Sequence, residues 1–272
     1  MLCGKVKNGE MIMGGKKWSS EEISMLTKYY GQCRSRVELL EKLPGRSYDA
    51  ISMKAFFLGL KGDSRNSNRQ YDLWFDAFSD FTPNAAYWAG FIAADGHITL
   101  GSQLNVGLAL KDKNHLSSLK KYLRYGGPIN VQSDRKTNFG VFGRVVLLVQ
   151  SVDLCKALND VWNIPSGKKS HILELPDVED ELLIDYISGY FDGDGCVYHD
   201  KRSYLTITFV GSETFLKELR VVINRYFDID TSLPYKNTKH SNACMYRVHG
   251  KKAKKVLSRF AQNKNSLKRK LL

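Results

Sequence analysis

Two short stretches carry acids, small residues and a closing glycine in one order: WAGFIAADG at residues 88–96 and ISGYFDGDG at residues 187–195. Their matching acids, Asp95 and Asp194, stand 99 positions apart. One Asp before a glycine is an ordinary turn or cap residue. Two of them, at matched places in a repeated stretch, form a pair of hard oxygen donors, the chemistry that suits Mg²⁺. Carboxylates about 5 Å apart repel by roughly 3 kcal/mol at an effective dielectric near 20. A negative charge at a helix C-terminus costs several tenths to about 1 kcal/mol more. A divalent cation reverses both penalties.

Such a pair needs two helices to present it. Thr82-Pro83 supplies an N-cap and a first-turn proline for one. Pro176-Asp177, followed by Glu179, Asp180 and Glu181, opens the other with acids where the helix dipole favours them. Each helix is expected to end at its closing glycine, Gly96 or Gly195, in the left-handed conformation common after helices. Gly90 and Ala94 lie four apart, as do Gly189 and Gly193, so each pair shares a helical face. Glycine inside a helix costs about 1 kcal/mol relative to alanine. Close backbone approach of the two helices offsets that cost, and their crossing brings Asp95 and Asp194 together.

The surrounding sequence repeats too. NVGLALKDKNHLSSLKKYL (105–123) aligns with LTITFVGSETFLKELRVVI (205–223). Leu116, Leu119 and Leu123 fall opposite Leu216, Leu219 and Ile223, and the same offset sets Val106, Leu108 and Leu110 opposite Thr206, Thr208 and Val210. Further strand-like runs follow in each half (PINVQS and VFGRVVLLVQS; IDTSLPY and CMYRVHG), and each half closes on a helix. The expected fold is α+β: a pseudo-twofold duplicated αββαββα domain over 82–272, with halves 82–175 and 176–272. The period is far too long for a solenoid.

Residues 16–62 read as a small three-helix domain. Ser19 and Glu22 fit a capping box, Ser35 and Glu38 repeat it, and Ser47 caps a third helix after Pro44-Gly45. In GRSYDAISMKAFFLGL a turn leads into a helix carrying Arg46, Tyr48, Ser52 and Lys54, the arrangement of a groove-reading helix. Residues 63–81 are a linker and docking segment, in which Trp74, Phe75, Phe78 and Phe81 are expected on a helix packed against the next domain.

The 272 residues carry a net charge of +13 and a pI of about 9.4, which points to a polyanionic partner, nucleic acid before membrane. The opening MLCGKVKNGEMIMGG lacks the apolar stretch of a secretory signal, and no apolar run is long enough to span a bilayer. Five cysteines, an odd number without CxxC spacing, argue against a disulfide framework and for a reducing compartment. The expected location is cytoplasmic or wherever the target DNA resides. Cys196, His199, His240 and Cys244 have a spacing open to zinc, with alternating strand faces as the alternative. FDGDG fails as a calcium loop, because Cys196 and Val197 stand where an oxygen ligand and a glycine are required.

WAGFIAADG and ISGYFDGDG, with the half-repeat behind them, resemble the paired signature of the single-chain LAGLIDADG homing endonucleases. GRSYDAISMKAFFLGL resembles the Myb/SANT-like helix-turn-helix modules. The first resemblance implies a site-specific endonuclease for intron homing. It would make a Mg²⁺-dependent double-strand break with 3′ overhangs, as a monomer on double-stranded DNA with a long recognition site. It implies Asp95 and Asp194 as catalytic metal ligands, with the carbonyls of Ala94 and Gly193 as further ligands. Ala93 stands where the motif name spells an acid, a position that is not the ligand. Lys111 falls at a strand end where the family often carries an active-site lysine. Its counterpart by the offset above is Gly211, so Lys169 is a candidate for the other site. Groove contacts are expected from Gln103, Arg135, Lys136, Asn138, Arg144, Lys169, Lys201, Arg202, Lys236, Asn237 and Lys239, most of them to phosphates. After Asp230 there is no acid at all, and the basic segment 251–272 is expected to track phosphates or fray in solvent. An RNA maturase that aids intron splicing and a non-cleaving DNA-binding regulator are the alternatives. An intein fits less well, since no His-Asn closes the chain.

Overall fold

Short polar caps start most of the helices. The computed structural model describes residues 6–7, 10–11, 17–33, 35–60, 70–99, 102–137, 140–199, 204–236 and 243–271. Asn138, Lys201, Arg202, Asn237, Lys239 and His240 lie outside the described residues, as do the side chains of Arg135 and Lys136. The chain forms two units, Met1–Leu73 and Trp74–Leu272.

The first unit holds a two-stranded ladder, β1 (Val6–Lys7) and β2 (Glu10–Met11), and three helices: α1 (Ser20–Tyr29), α2 (Arg36–Lys42) and α3 (Tyr48–Phe57). The Ser19 hydroxyl accepts from Glu22 N at 3.2 Å, and the Glu22 carboxylate accepts from Ser19 N at 2.9 Å, a complete capping box. Ser35 and Ser47 cap α2 and α3. Leu26, Leu39, Leu43, Ile51 and Ala55 form the core. Arg46 corrects the sequence reading. Its Nε and Nη2 donate to the Glu22 carboxylate at 2.9 and 2.7 Å, Nη2 also donates to Lys17 O, and the guanidinium lies over Trp18. Arg46 is buried and tied to α1, so it is not presented to a groove. Tyr48 packs its ring under the Arg36 guanidinium, and Ser52 and Lys54 are half-buried. Met53, Phe56 and Phe57 are the exposed large side chains of α3.

In the second unit, α4 (Pro83–Asp95) starts where Thr82 accepts from Ala85 N at 3.2 Å. It is followed by β3 (Gly96–Thr99), β4 (Gln103–Ala109), a 3-10 turn (Leu110–Asp112) and α5 (Lys113–Tyr122). Then come β5 (Ile129–Thr137), β6 (Gly140–Gln150) and α6 (Val152–Asp160). The second half repeats the series with α7 (Asp180–Asp194), β7 (Gly195–His199), β8 (Leu205–Gly211), α8 (Glu213–Phe227), β9 (Tyr235–Lys236), β10 (Cys244–His249) and α9 (Gly250–Phe260). The antiparallel sheets have matching orders, β3-β4-β6-β5 and β7-β8-β10-β9. The αββαββα duplication and the α+β class are therefore present in the chain itself.

Side chains alternate across each sheet. Leu104, Val106 and Leu108, like Ile207 and Phe209, turn inward onto the helices, leaving the other face open. Helices α4 and α7 are buried on nearly every side, as their near-continuous apolar and small residues require. They cross backbone to backbone. A Cβ built on Gly90 would overlap the Tyr186 carbonyl, and one on Gly189 would overlap the Tyr87 carbonyl.

Three expectations change. Gly96 and Gly195 are extended, with φ of −84° and −95°, and not left-handed. Each is glycine because a Cβ would strike the carbonyl of Ile92 or Phe191 in the last helical turn. The strand alignment also shifts. Gly96 pairs with Val106 and Gly195 pairs with Phe209, so Val106 corresponds to Phe209 and not to Thr206. The helices keep the original offset because the turn Leu110–Asp112 adds three residues to the first half only. Finally, residues 75–79 form turns and not a helix. The aromatic stripe still packs on the first half: Trp74 and Phe78 meet the Tyr122 ring edge-on, and Phe81 meets Trp162. Among the described residues, no helix is long and apolar enough to cross a membrane.

Candidate functional site

The glycine crossing decides where the acids stand. Asp95 and Asp194 end α4 and α7 on the same side of the crossing, and a Cβ on Gly193 would come within 3.2 Å of Asp95 Oδ2. Among the described residues, neither carboxylate makes a hydrogen bond or ion pair. Burial and then the Asp194 charge push the Asp95 pKa up to about 6, against opposing pulls from Lys270 and Lys169. The Asp194 pKa also rises, although this residue is exposed by surface area. Crowding of its carboxylate outweighs the pull of Lys169 and then Lys270.

Two lysines cap the helices. Lys169 Nζ donates to Ile92 O at 2.7 Å and Gly96 O at 2.5 Å, at the end of α4. Lys270 Nζ reaches Phe191 O, Asp192 O, Gly193 O and Gly195 O at 3.0, 2.7, 3.2 and 2.7 Å, at the end of α7. Each ammonium satisfies carbonyls the helix leaves open and opposes its dipole. Burial lowers both lysine pKa values, Lys169 to about 8, with the two acids pulling upward on Lys169. Lys270 comes from the basic segment expected to track phosphates or fray; it is 8% exposed. Sequence reading missed it because nothing local separates it from the neighbouring lysines. The signal was the duplication, which sets Lys270 opposite Lys169.

Each acid opens into a cavity completed by the other half. The Asp194 cavity, about 310 Å³, is closed by Ala94, Lys169, Ser170 and His171 of the first half. The Asp95 cavity, about 210 Å³, is closed by Asp192, Gly193, Leu267 and Arg269 of the second. Asp192, the extra acid of the second motif, is buried. It accepts from Tyr87 OH at 2.6 Å and Leu267 N at 2.7 Å, tying the segment that carries Lys270 to α4. Since the Tyr87 proton goes to Asp192, the His115 Nε2 contact at 3.3 Å has His115 as donor. Burial lowers the His115 pKa to about 4, keeping it neutral.

Lys111 is not at a strand end. It sits exposed on the inserted turn, and the cations that act on Asp95 are Lys270 and Lys169. Of the zinc alternative, Cys196 is exposed and Cys244 buried on opposite sheet faces, as the alternating-face alternative has it, and His240 lies outside the described residues.

No family model matches the sequence, and no curated protein matches it. Solved structures of homing endonucleases and of a LAGLIDADG domain match part of the chain. The homing endonuclease I-WcaI bound to its DNA recognition sequence is 15% identical with a TM-score of 0.48, over 80% of this chain and 97% of that one. I-SmaMI bound to uncleaved DNA target in the presence of calcium ions is 12% identical with a TM-score of 0.41, over 67% and 85%. The N-terminal LAGLIDADG domain of DUF199/WhiA is 15% identical with a TM-score of 0.43, over 68% and 82%. At such identities no residue role passes from these proteins to this chain.

The open faces of the two sheets carry polar rows. In the first sheet His97 pairs with Asn105, Thr99 with Gln103, and Gln103 with Gln150. Arg144, opposite Ala109, lays its guanidinium over Gly107, where any Cβ would block it. In the second sheet Cys196, Thr208 and Arg247 form one row and Tyr198, Thr206 and His249 another. Gln103 and Arg144 were expected on this face. His97, Asn105, Tyr198, Thr206, Thr208, Arg247 and His249 were missed, Thr206 and Thr208 because the alignment set them opposite the inward Val106 and Leu108. Lys236 is exposed on the short β9.

Proposed function

We propose that this chain is a Mg²⁺-dependent, site-specific DNA endonuclease acting as a monomer on a long double-stranded site. The observation that carries this reading is the pair of crowded carboxylates, without a hydrogen bond or ion pair among the described residues, held at a glycine crossing beside two sheets with polar open faces. The donor set fits a hard divalent cation: Asp95 and Asp194 as ligands, with the carbonyls of Ala94 and Gly193 available beside them. When bound, such a cation supplies an activated water and stabilises charge on the attacking and leaving oxygens of the phosphodiester.

The chain's own residues do the rest. Lys169 and Lys270 keep the helix ends in place and set positive charge beside each acid. At pH 7 Lys169, with a pKa of about 8, remains protonated and opposes negative charge developing on the phosphate. The rows through Gln103, Arg144, Thr208 and Arg247, and Lys236 on the edge strand, meet base edges and phosphates. Arg135, Lys136, Asn138, Lys201, Arg202, Asn237 and Lys239 are further contacts to the DNA in this reading. One cut by each cavity would break both strands and leave 3′ overhangs, the product that intron homing requires. The first unit adds affinity to flanking DNA through Tyr48, Ser52 and Lys54.

Selection on a random DNA library with Mg²⁺ identifies the target. On that target, Asp95→Asn and Asp194→Asn are each expected to lower double-strand cutting at least about a thousandfold while sparing binding. Full cutting by either variant would overturn the assignment. Binding without cutting by the unaltered chain would identify a regulator.

A further inference from the structure

The inserted turn makes the cavities unequal, and the inequality sits on a charged pair. Asp112, on that turn, faces Arg269 beside the Asp95 cavity. Arg269 Nε and Nη2 meet Asp112 Oδ1 and Oδ2, each at 2.9 Å. Asp112 is 12% exposed at its side chain and Arg269 47%, so the acid is set into the wall while the guanidinium faces the opening. Two donors are used, and Nη1 has no recorded partner among the described residues. Asp112 makes no side-chain cap to α5, and among the described residues its side-chain hydrogen bonds go to Arg269.

The other cavity lacks this device. Ser212 precedes α8 as Asp112 precedes α5, and its hydroxyl caps that helix by accepting from Phe215 N at 3.3 Å. Lys168 precedes Lys169 as Arg269 precedes Lys270, and it is exposed with no ion pair among the described residues. A carboxylate that grips one edge of a guanidinium fixes its plane and aims the free edge.

We infer that Asp112 is a positioning residue that holds Arg269 against the scissile phosphate of one DNA strand only, the strand served by the Asp95 cavity. This rests on the endonuclease reading above. The full chain is tested on its mapped site with each strand end-labelled, beside Asp112→Asn and Arg269→Gln. Both variants should slow the same strand about tenfold or more and leave the other within about twofold, so that nicked duplex accumulates. In a second, metal-free assay, a neutral methylphosphonate replaces each scissile phosphate in turn. The unaltered chain should lose affinity severalfold at one position, and Arg269→Gln should show no such difference between positions. Equal slowing of both strands, or opposite strands slowed by the two variants, would overturn the inference and leave the endonuclease standing. A chain that cuts no library DNA would overturn both.

Discussion

The Asp95 and Asp194 cavities descend from one repeat, yet they are completed from different places. Lys169 reaches its helix end from the connector between the halves, whereas Lys270 arrives from the segment after α9. Lys169 is half-buried and bonds two carbonyls; Lys270 is buried and bonds four. The Asp95 cavity adds the Asp112–Arg269 pair, while the Asp194 cavity has Ser212, Ser170 and His171. Twofold design thus fixes what must be shared, an acid and an ammonium at each helix end. The rest has diverged where the chain inserts or connects.

The comparison breaks most severely at the crossing. Gly90→Val or Gly189→Val forces a side chain into a facing backbone carbonyl, and either should remove the cooperative melting transition of the duplicated unit. A variant that melts like the unaltered chain would show that the helices separate freely. The lysines come next. Lys270→Met should destabilise on the order of 3 kcal/mol and Lys169→Met by less, read by chemical denaturation, because more carbonyls lose a charged donor in the first case. Equal losses would make the caps equivalent after all.

The acid–lysine pair also sets a pH window. Asp95 ionises through about 6 and Lys169 loses its charge through about 8. Cutting at limiting Mg²⁺ should therefore rise through the first value and fall through the second. Lys169→Arg should carry the falling limb to higher pH, and an unmoved limb would remove Lys169 from the reaction. A smaller effect concerns stability. The fold raises the Asp95 pKa, so its stabilising share is full below the ordinary value near 4 and lost as pH rises through about 6. Without added cation at pH 7.5, Asp95→Asn should therefore gain on the order of 1 kcal/mol, a few degrees of melting temperature. By pH 4 that gain should vanish in the same melting scans. The smallest expected effect is at the first unit: deleting residues 1–62 should weaken DNA binding about threefold and leave the cut position unchanged.

The motif helices were legible because their glycines and acids are local and duplicated, although only α4 has the expected side-chain cap; α7 starts after Glu179 without one. The glycine crossing followed from the cost of glycine within a helix. The strand register was not legible. Leucines of α5 and α8 gave a strong alignment, and a three-residue turn before α5 moved every strand relative to them. Arg46 and Lys270 read as surface cations because their partners, Glu22 and the carbonyls of α7, are distant in sequence. A buried cation shows in a sequence only through what it neutralises, and helix-end carbonyls leave no mark there.

The backbone-to-backbone contact of α4 and α7 has a consequence for how such a molecule can change. The separation of the two acids is set by glycines within the crossing, while the polar rows lie on the sheet faces turned away from the helices. If the chain is the endonuclease proposed above, residues that choose the target are thus free to drift without altering the distance between the two cuts, and new targets can be acquired with the stagger of the break inherited intact.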